Sequence, residues 1–277
     1  MMTQRTDTQQ RAAVDEQRLR HPLARGIELL TLMVDSHQSS YGVRELAGQL
    51  GVSPSTVHRL VTDLERIGLV RRSTNGSYQL GLEFLRLAWT TTARFPLHEV
   101  ASDTLHELAK ESGESSFFGV YGGQRREMMF TLTVESPHPL RYTLPEGVWL
   151  PLHAGASGLA ILAFLREDVR DEIARGTLDP ATSRTLVDAE ALLARLEKIR
   201  EEGYAITHGE RIEGAIAIAA PVFGSLGDVV GATGITVPET RFNAAQASSL
   251  AAMVRRAAGQ LTGYISGSGR TRSALAR

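Results

Sequence analysis

Cysteine is absent from the chain, which rules out disulfides, thiolate metal sites and cysteine nucleophiles and suits a reducing compartment. A dominant charge is absent too: the formal net charge of -1 argues neither for nor against a polyanionic partner. No long hydrophobic run is present. The longest weakly polar stretch, Gly214 to Gly224, is too short to span a bilayer, and the polar, Gln/Arg-rich segment Met1 to Arg20 lacks the apolar centre of a signal peptide. These absences predict a cytoplasmic protein with no membrane role.

Enzyme signatures are missing as well. Gly155-Ala156-Ser157-Gly158 superficially suggests a nucleophile elbow, but Gly-x-Ser-x-Gly needs glycine at 159, where Leu159 stands. His153 and His208 come without His-x-x-His or carboxylate-supported spacing, so no metal is assigned. No Gly-x-Gly-x-x-Gly and no phosphate-cradling Gly-Lys motif occurs. The expectation is a protein that is not an enzyme, with no catalytic residue, metal or cofactor.

What the chain does have is material for two domains: 277 residues, 42% of them hydrophobic. Its charges divide unevenly. Residues 11–94 carry 11 Lys+Arg against 8 Asp+Glu, whereas residues 95–277 carry 18 against 22, so the basic surplus lies where a phosphate-contacting module would need it.

Periodicity divides the chain further. Residues 1–20 read as a disordered arm, with too little apolar surface to offset the entropy of ordering. A helix follows from Leu23 to Ser36, with Leu23, Ile27, Leu30 and Val34 on one face. Val43 to Leu50 and Pro54 to Ile67 are two further helices around the turn Gly51-Val52-Ser53, with Ser53 as N-cap and Pro54 at N1. Leu69 to Arg72 and Ser77 to Leu80 form a hairpin around Thr74-Asn75-Gly76, since Asn-Gly is a strong hairpin signal. Residues 82–112 read as linker helices. Beyond Gly113, strands are predicted at Ser116–Tyr121, Met128–Glu135, Val148–Pro151, Tyr204–His208, Ala215–Val222 and Val229–Val237. Helices are predicted at Ala154–Leu165, Asp168–Ala174, Asp188–Glu202 and Asn243–Ile265, and residues 266–277 as a flexible tail. Adjacent strands without intervening helices indicate an α+β layer rather than repeated βαβ units.

From Val43 onward the spacing is that of a helix-turn-helix. Leu46, Leu50, Val52, Val57 and Leu60 seal the helix pair, Ala47 permits close crossing, and Gly51 permits the sharp turn. On the second helix Val57, Leu60, Val61, Leu64 and Ile67 point inward. Ser55, Thr56, Arg59 and Thr62 then form the outer face, with His58 and Arg66 at its margins. Arg59 can bridge guanine O6 and N7, while Ser55 and Thr56 suit phosphates or base edges. Arg71 and Arg72 of the hairpin would grip backbone or minor groove. The candidate DNA-binding set is Ser53, Ser55, Thr56, His58, Arg59, Thr62, Arg71, Arg72 and Asn75.

Ser55 to Arg72 with Tyr78 to Gly81 resembles the recognition helix and wing of the IclR family of bacterial transcription regulators. Pro151 to Leu165, Glu201 to Glu210 and Ile218 to Arg241 resemble that family's effector domain, so the likeness covers nearly all of Leu23 to Ile265. It implies an α+β protein: a winged helix-turn-helix (residues 21–81), joined by the linker helices (82–112) to a GAF-like α/β effector-binding domain (113–265). It also implies a homodimer or dimer of dimers on a double-stranded DNA operator, under the control of a small-molecule effector. By the resemblance, backbone amides at Ala156 and Ser157 and the strand positions Thr207, Ala217, Gly234 and Thr236 form the effector site, with Leu150 beside them. The family often has Asp at 207, Cys at 217, Ser at 234 and 236, and Lys at 159. These departures imply a larger, less polar effector than a two- or three-carbon acid, such as an aromatic or hydroxylated acid. A second domain serving only assembly is the alternative.

Overall fold

The computed structural model describes residues 21–36, 38–94 and 97–267; the expected arm over 1–20 and the tail from 268 onward lie outside them. Two compact units divide at Phe95 and Pro96.

In the first unit, α1 (Pro22–Asp35), α2 (Val43–Leu50) and α3 (Pro54–Arg66) precede a hairpin of β1 (Val70–Arg72) and β2 (Tyr78–Leu80), and α4 (Leu82–Arg94) follows. Leu29, Leu46, Val57 and Val61, all fully enclosed, form its core with Leu30, Met33, Val70 and Tyr78. The inward stripe of α1 differs from the expected one. Gly26, Leu29, Leu30 and Met33 are buried, whereas Leu23, Ile27 and Val34 are 70%, 57% and 49% exposed. Helix α1 is apolar on more than one side, so its periodicity admits two overlapping stripes, and packing selects one. Ile67 is likewise exposed rather than inward, because the helix ends at Arg66 and the chain turns away.

The polar loop before α2 contains a feature that the sequence pattern does not announce. Tyr41 is 2% exposed and exchanges two 2.9 Å backbone hydrogen bonds with Tyr78, adding a bridge to the edge of the hairpin. Its phenol donates to the carbonyl of Gln38 at 2.8 Å and meets Ser36 Oγ.

The second unit is one six-stranded antiparallel sheet, of order β5-β4-β3-β8-β7-β6. Its strands are β3 (Ser115–Gly122), β4 (Glu127–Val134), β5 (Trp149–Pro151), β6 (Ala205–His208), β7 (Ala215–Phe223) and β8 (Val229–Pro238). Alternate residues serve opposite cores. Phe118, Ile218, Ala220, Ile235 and Val237 pack under α5 (Leu97–Ser112) and the last helix, α9 (Ala247–Ile265). Phe117, Ala219 and Ala232 pack with α6 (Ala156–Leu162), α7 (Glu167–Ala174) and α8 (Ala189–Glu202) on the other side. The expected linker is thereby divided: α4 lies in the first unit, while α5 buries Ala101, Leu105 and Leu108 in the second. Helix α6 is shorter than the pattern 154–165 suggests, because Ala163 to Leu165 turn out of it.

Two ion-pair groups tie segments distant in sequence. Glu114, 5% exposed, receives a bidentate contact from Arg241 at 2.6 and 2.5 Å. Arg195 joins Glu210 at 2.8 Å and the Ile206 carbonyl at 2.5 Å. Each fixes a loop that leads to the sheet's edge or end.

Leu159, fully enclosed at the centre of α6, contributes to the core rather than to a surface. Leu159→Ala should lower stability by about 2–5 kcal/mol in urea denaturation followed by circular dichroism; a loss below about 1 kcal/mol would contradict close packing there.

Candidate nucleic-acid interface and ligand cavity

Helix α3 is built to present one face. Ser53 Oγ accepts the Thr56 amide at 3.2 Å, Pro54 occupies the first turn, and Val57, Leu60 and Val61 are buried. That orientation leaves Ser55, His58 and Arg59 exposed and Thr56 and Thr62 half-buried. The hydroxyls of Ser53, Ser55 and Thr56 cluster within 2.9 Å, beside the helix N-terminus. Thr62 differs from expectation in its chemistry: its hydroxyl donates to the His58 carbonyl at 2.7 Å, leaving it only as an acceptor for a partner.

The wing places Arg71 opposite Gln79 and Arg72 opposite Tyr78, with both arginines exposed. Arg59, Arg71 and Arg72 make no ion pair among the described residues, so their charges are not offset locally. Asn75 shapes the turn: its Oδ1 accepts the Ser77 amide at 3.0 Å and the Ser77 hydroxyl at 2.6 Å.

In the second unit, Thr207, Ala217 and Thr236 stand abreast on β6, β7 and β8. The register explains why positions so far apart in sequence converge. They line a cavity of about 30 Å3 together with Gly155, Ala156, Ser157, Phe117, Phe130, Leu144, Ile212 and Ala215. The rings of Phe117 and Phe130 meet edge to face, 5.1 Å between centroids. The volume is about that of one water molecule, so any organic ligand must widen it.

Two expected members lie elsewhere. Leu150 pairs with Met128 across β4 and β5 and packs into the core. Gly234 is closed off by its neighbours: a Cβ there would lie 2.1 Å from the Ile218 carbonyl oxygen and 2.8 Å from the Phe117 ring. Its lack of a side chain therefore accommodates the sheet and Phe117, adding no open space.

The residue that sequence reasoning missed is Arg211, which also lines the cavity. It sits in the polar turn between β6 and β7, where periodicity gives no reason to expect an inward side chain. Its Nη2 donates to the Pro151 carbonyl at 3.0 Å and to that of Ala154, while Nε is sealed from solvent with no partner. Burial lowers the guanidinium to about 10, because the charged form loses hydration. The signal that could have exposed it is Gly155. That residue has φ +83, and a Cβ on it would lie 2.7 Å from Arg211 Nε. Glycine is thus required both by the backbone and by the guanidinium stacked against it.

His153 is buried with Nε2 2.8 Å from the Asp179 carbonyl, and His208 is exposed beside Phe242. Among the described residues no cluster of three metal-ligating side chains occurs, and no helix is long and apolar enough to cross a membrane.

Comparison with known proteins decides the family. The model of the IclR helix-turn-helix domain matches residues 22–74, and that of the bacterial transcriptional regulator IclR C-terminal region matches residues 89–262. The chain belongs to the IclR family of bacterial transcription regulators. Within this family it is 30% identical over 241 residues to the HTH-type transcriptional regulator KipR of Bacillus subtilis, covering 87% of this chain and 95% of KipR. An IclR transcriptional regulator from Alicyclobacillus acidocaldarius has the same fold, with TM-score 0.78, 23% identity, and coverage of 88% and 98%. An IclR homolog from Microbacterium hydrocarbonoxydans, crystallised with 4-hydroxybenzoate, superposes with TM-score 0.75 at 22% identity and coverage of 89% and 100%. The DNA-binding motif and the α/β second unit are therefore those of IclR regulators.

At Gly155 the backbone constraint is directly testable. Gly155→Ala should lower stability by about 1–3 kcal/mol in urea denaturation, and an unchanged midpoint would show that the position is not constrained.

Proposed function

We propose that this IclR-family protein is a ligand-responsive regulator that binds an operator through α3 and the wing and senses a small organic acid in its second unit. The observation that carries the reading is the exposed α3 face, with Arg59 at its centre and uncompensated Arg71 and Arg72 beside it. Arg59 serves as the specificity residue, reading guanine in the major groove, and the wing arginines anchor phosphate or minor groove. Ser53, Ser55 and Thr56 contact the strand at the helix N-terminus, with His58, Thr62 and Asn75 at the margins. A homodimer or dimer of dimers sets two such helices about 34 Å apart, or a multiple of that, on a near-palindromic site. The regulated genes form a catabolic or metabolic operon.

The effector is an aromatic or hydroxylated acid. Apolar walls with three hydroxyls, from Ser157, Thr207 and Thr236, favour such a molecule over a two- or three-carbon acid. The relative crystallised with 4-hydroxybenzoate supports the class. The rival reading, a second unit that only assembles the protein, draws on the small volume of the cavity.

Operator sites selected from a random DNA pool provide the test. Arg59→Ala should weaken the selected site by about 1–3 kcal/mol and leave random DNA nearly unaffected. Arg71→Ala should weaken both alike and reduce the salt slope by about 1. Unchanged discrimination in Arg59→Ala would overturn the reading face. Stabilisation by an acid with a matching change in operator affinity separates a sensor from an assembly domain.

A further inference from the structure

Among the described residues Arg211 is the one ionisable residue lining the cavity, and no carboxylate lines it. Neighbouring acids are engaged or turned away. Glu210 places Oε1 2.8 Å from Arg195 Nη1, and Glu213 is exposed, its carbonyl accepting the Tyr142 hydroxyl at 3.0 Å. Glu210 Oε2 is sealed and unpartnered, yet no ion pair joins Arg211 to it or to any other described carboxylate. Among the described residues the guanidinium is held by the Pro151 and Ala154 carbonyls alone. A half-buried cation with a sealed Nε, held only by dipoles, is short of an anion.

The geometry points to Arg211 as the receptor for the charged group of the effector, and to an effector that is a monocarboxylate. This rests on reading the second unit as a ligand sensor. Nε–H and the adjacent Nη2–H form the side-on fork that matches the two oxygens of a carboxylate. Nε is unspent, but Nη2 is occupied by two carbonyls. A carboxylate docking side-on therefore displaces at least one of them and loosens the 151–155 segment that leads into α6. Recognition of the charge and movement of that segment become one event, which supplies the differential affinity that a ligand-driven switch requires.

The rest of the cavity limits the ligand to one charge. Among the described residues no second cation lines it, and Phe117, Phe130, Leu144 and Ile212 would leave a second carboxylate unpaired in apolar surroundings. The hydroxyls of Ser157, Thr207 and Thr236 are unengaged among the described residues and suit a neutral hydroxyl or keto group on the ligand.

Thermal-shift and calorimetric titration of the full chain against matched compounds tests this assignment. The probes are benzoate, 4-hydroxybenzoate and phenylacetate, their primary amides, and the dicarboxylate terephthalate. At least one acid should bind the wild type about 10–100-fold tighter than its amide, and terephthalate should bind more weakly than benzoate. Arg211→Gln should abolish the preference for acid while amide affinity stays within about twofold. Arg211→Lys, which keeps the charge without the fork, should restore part of it and serves if Arg211→Gln does not fold. Equal acid binding by wild type and both variants, or tightest binding by an amide or terephthalate, overturns the role of Arg211 and leaves the sensor reading standing. Failure of every acid to affect the wild type overturns the sensor reading, and this assignment with it.

Discussion

The second unit depends on the antiparallel pairing of β3 with β8 at the centre of its sheet. That register sends Phe117 to one face and Phe118 to the other, while a bulge between Phe118 and Gly119 reverses the facing of β4 midway, so that Met128 and Phe130 serve one core and Leu132 and Val134 the other. A slip of one residue would exchange the two cores, moving cavity-lining side chains beneath α9 and core side chains into the cavity. Both faces are covered by helices, so both sides of the strands must be apolar. The near-continuous Ala/Ile/Val runs of β7 and β8 follow from this burial.

The same register accounts for how much of the site could be read from the sequence. Thr207, Ala217 and Thr236, with Gly234 and Leu150, are placed in the site by family resemblance; strand patterns locate β6, β7 and β8 but not their neighbours, and the register that brings the first three abreast is seen only in the fold. Gly234 and Leu150 do not join them. Their places depend on close approaches, Ile218 to Gly234 and Met128 to Leu150, that no periodicity encodes. Arg211 lay beyond reach for a related reason. A turn residue has no period, and its inward course depends on carbonyls about sixty positions earlier in the chain.

In the first unit, local chemistry was more informative. Ser53, Pro54 and the Asn75-Gly76 turn act on neighbours within a few residues, so helix start and wing could be located closely. The facing of α1 could not, because an amphipathic stripe is defined only against a partner, and Leu23 and Leu30 are equally apolar in isolation. Tyr41 was similarly hidden: it occupies a polar segment, and only the edge of β2 gives its burial a reason.

That tyrosine also bears on how DNA is held. By stitching the segment before α2 to the edge of β2, it makes the wing and the helix pair a single stiff body, and the phenol's bond to Gln38 pins the connecting loop. Two contact points on a stiff body behave like the teeth of a chelating ligand: on the proposed reading, once α3 engages a groove the wing arginines would reach the adjacent strand without a further loss of chain freedom. The unit would then grip a fixed span of duplex, and a bend or groove width that misplaces one tooth would weaken the other. Shape of the DNA, as well as its base sequence, would enter the choice of site.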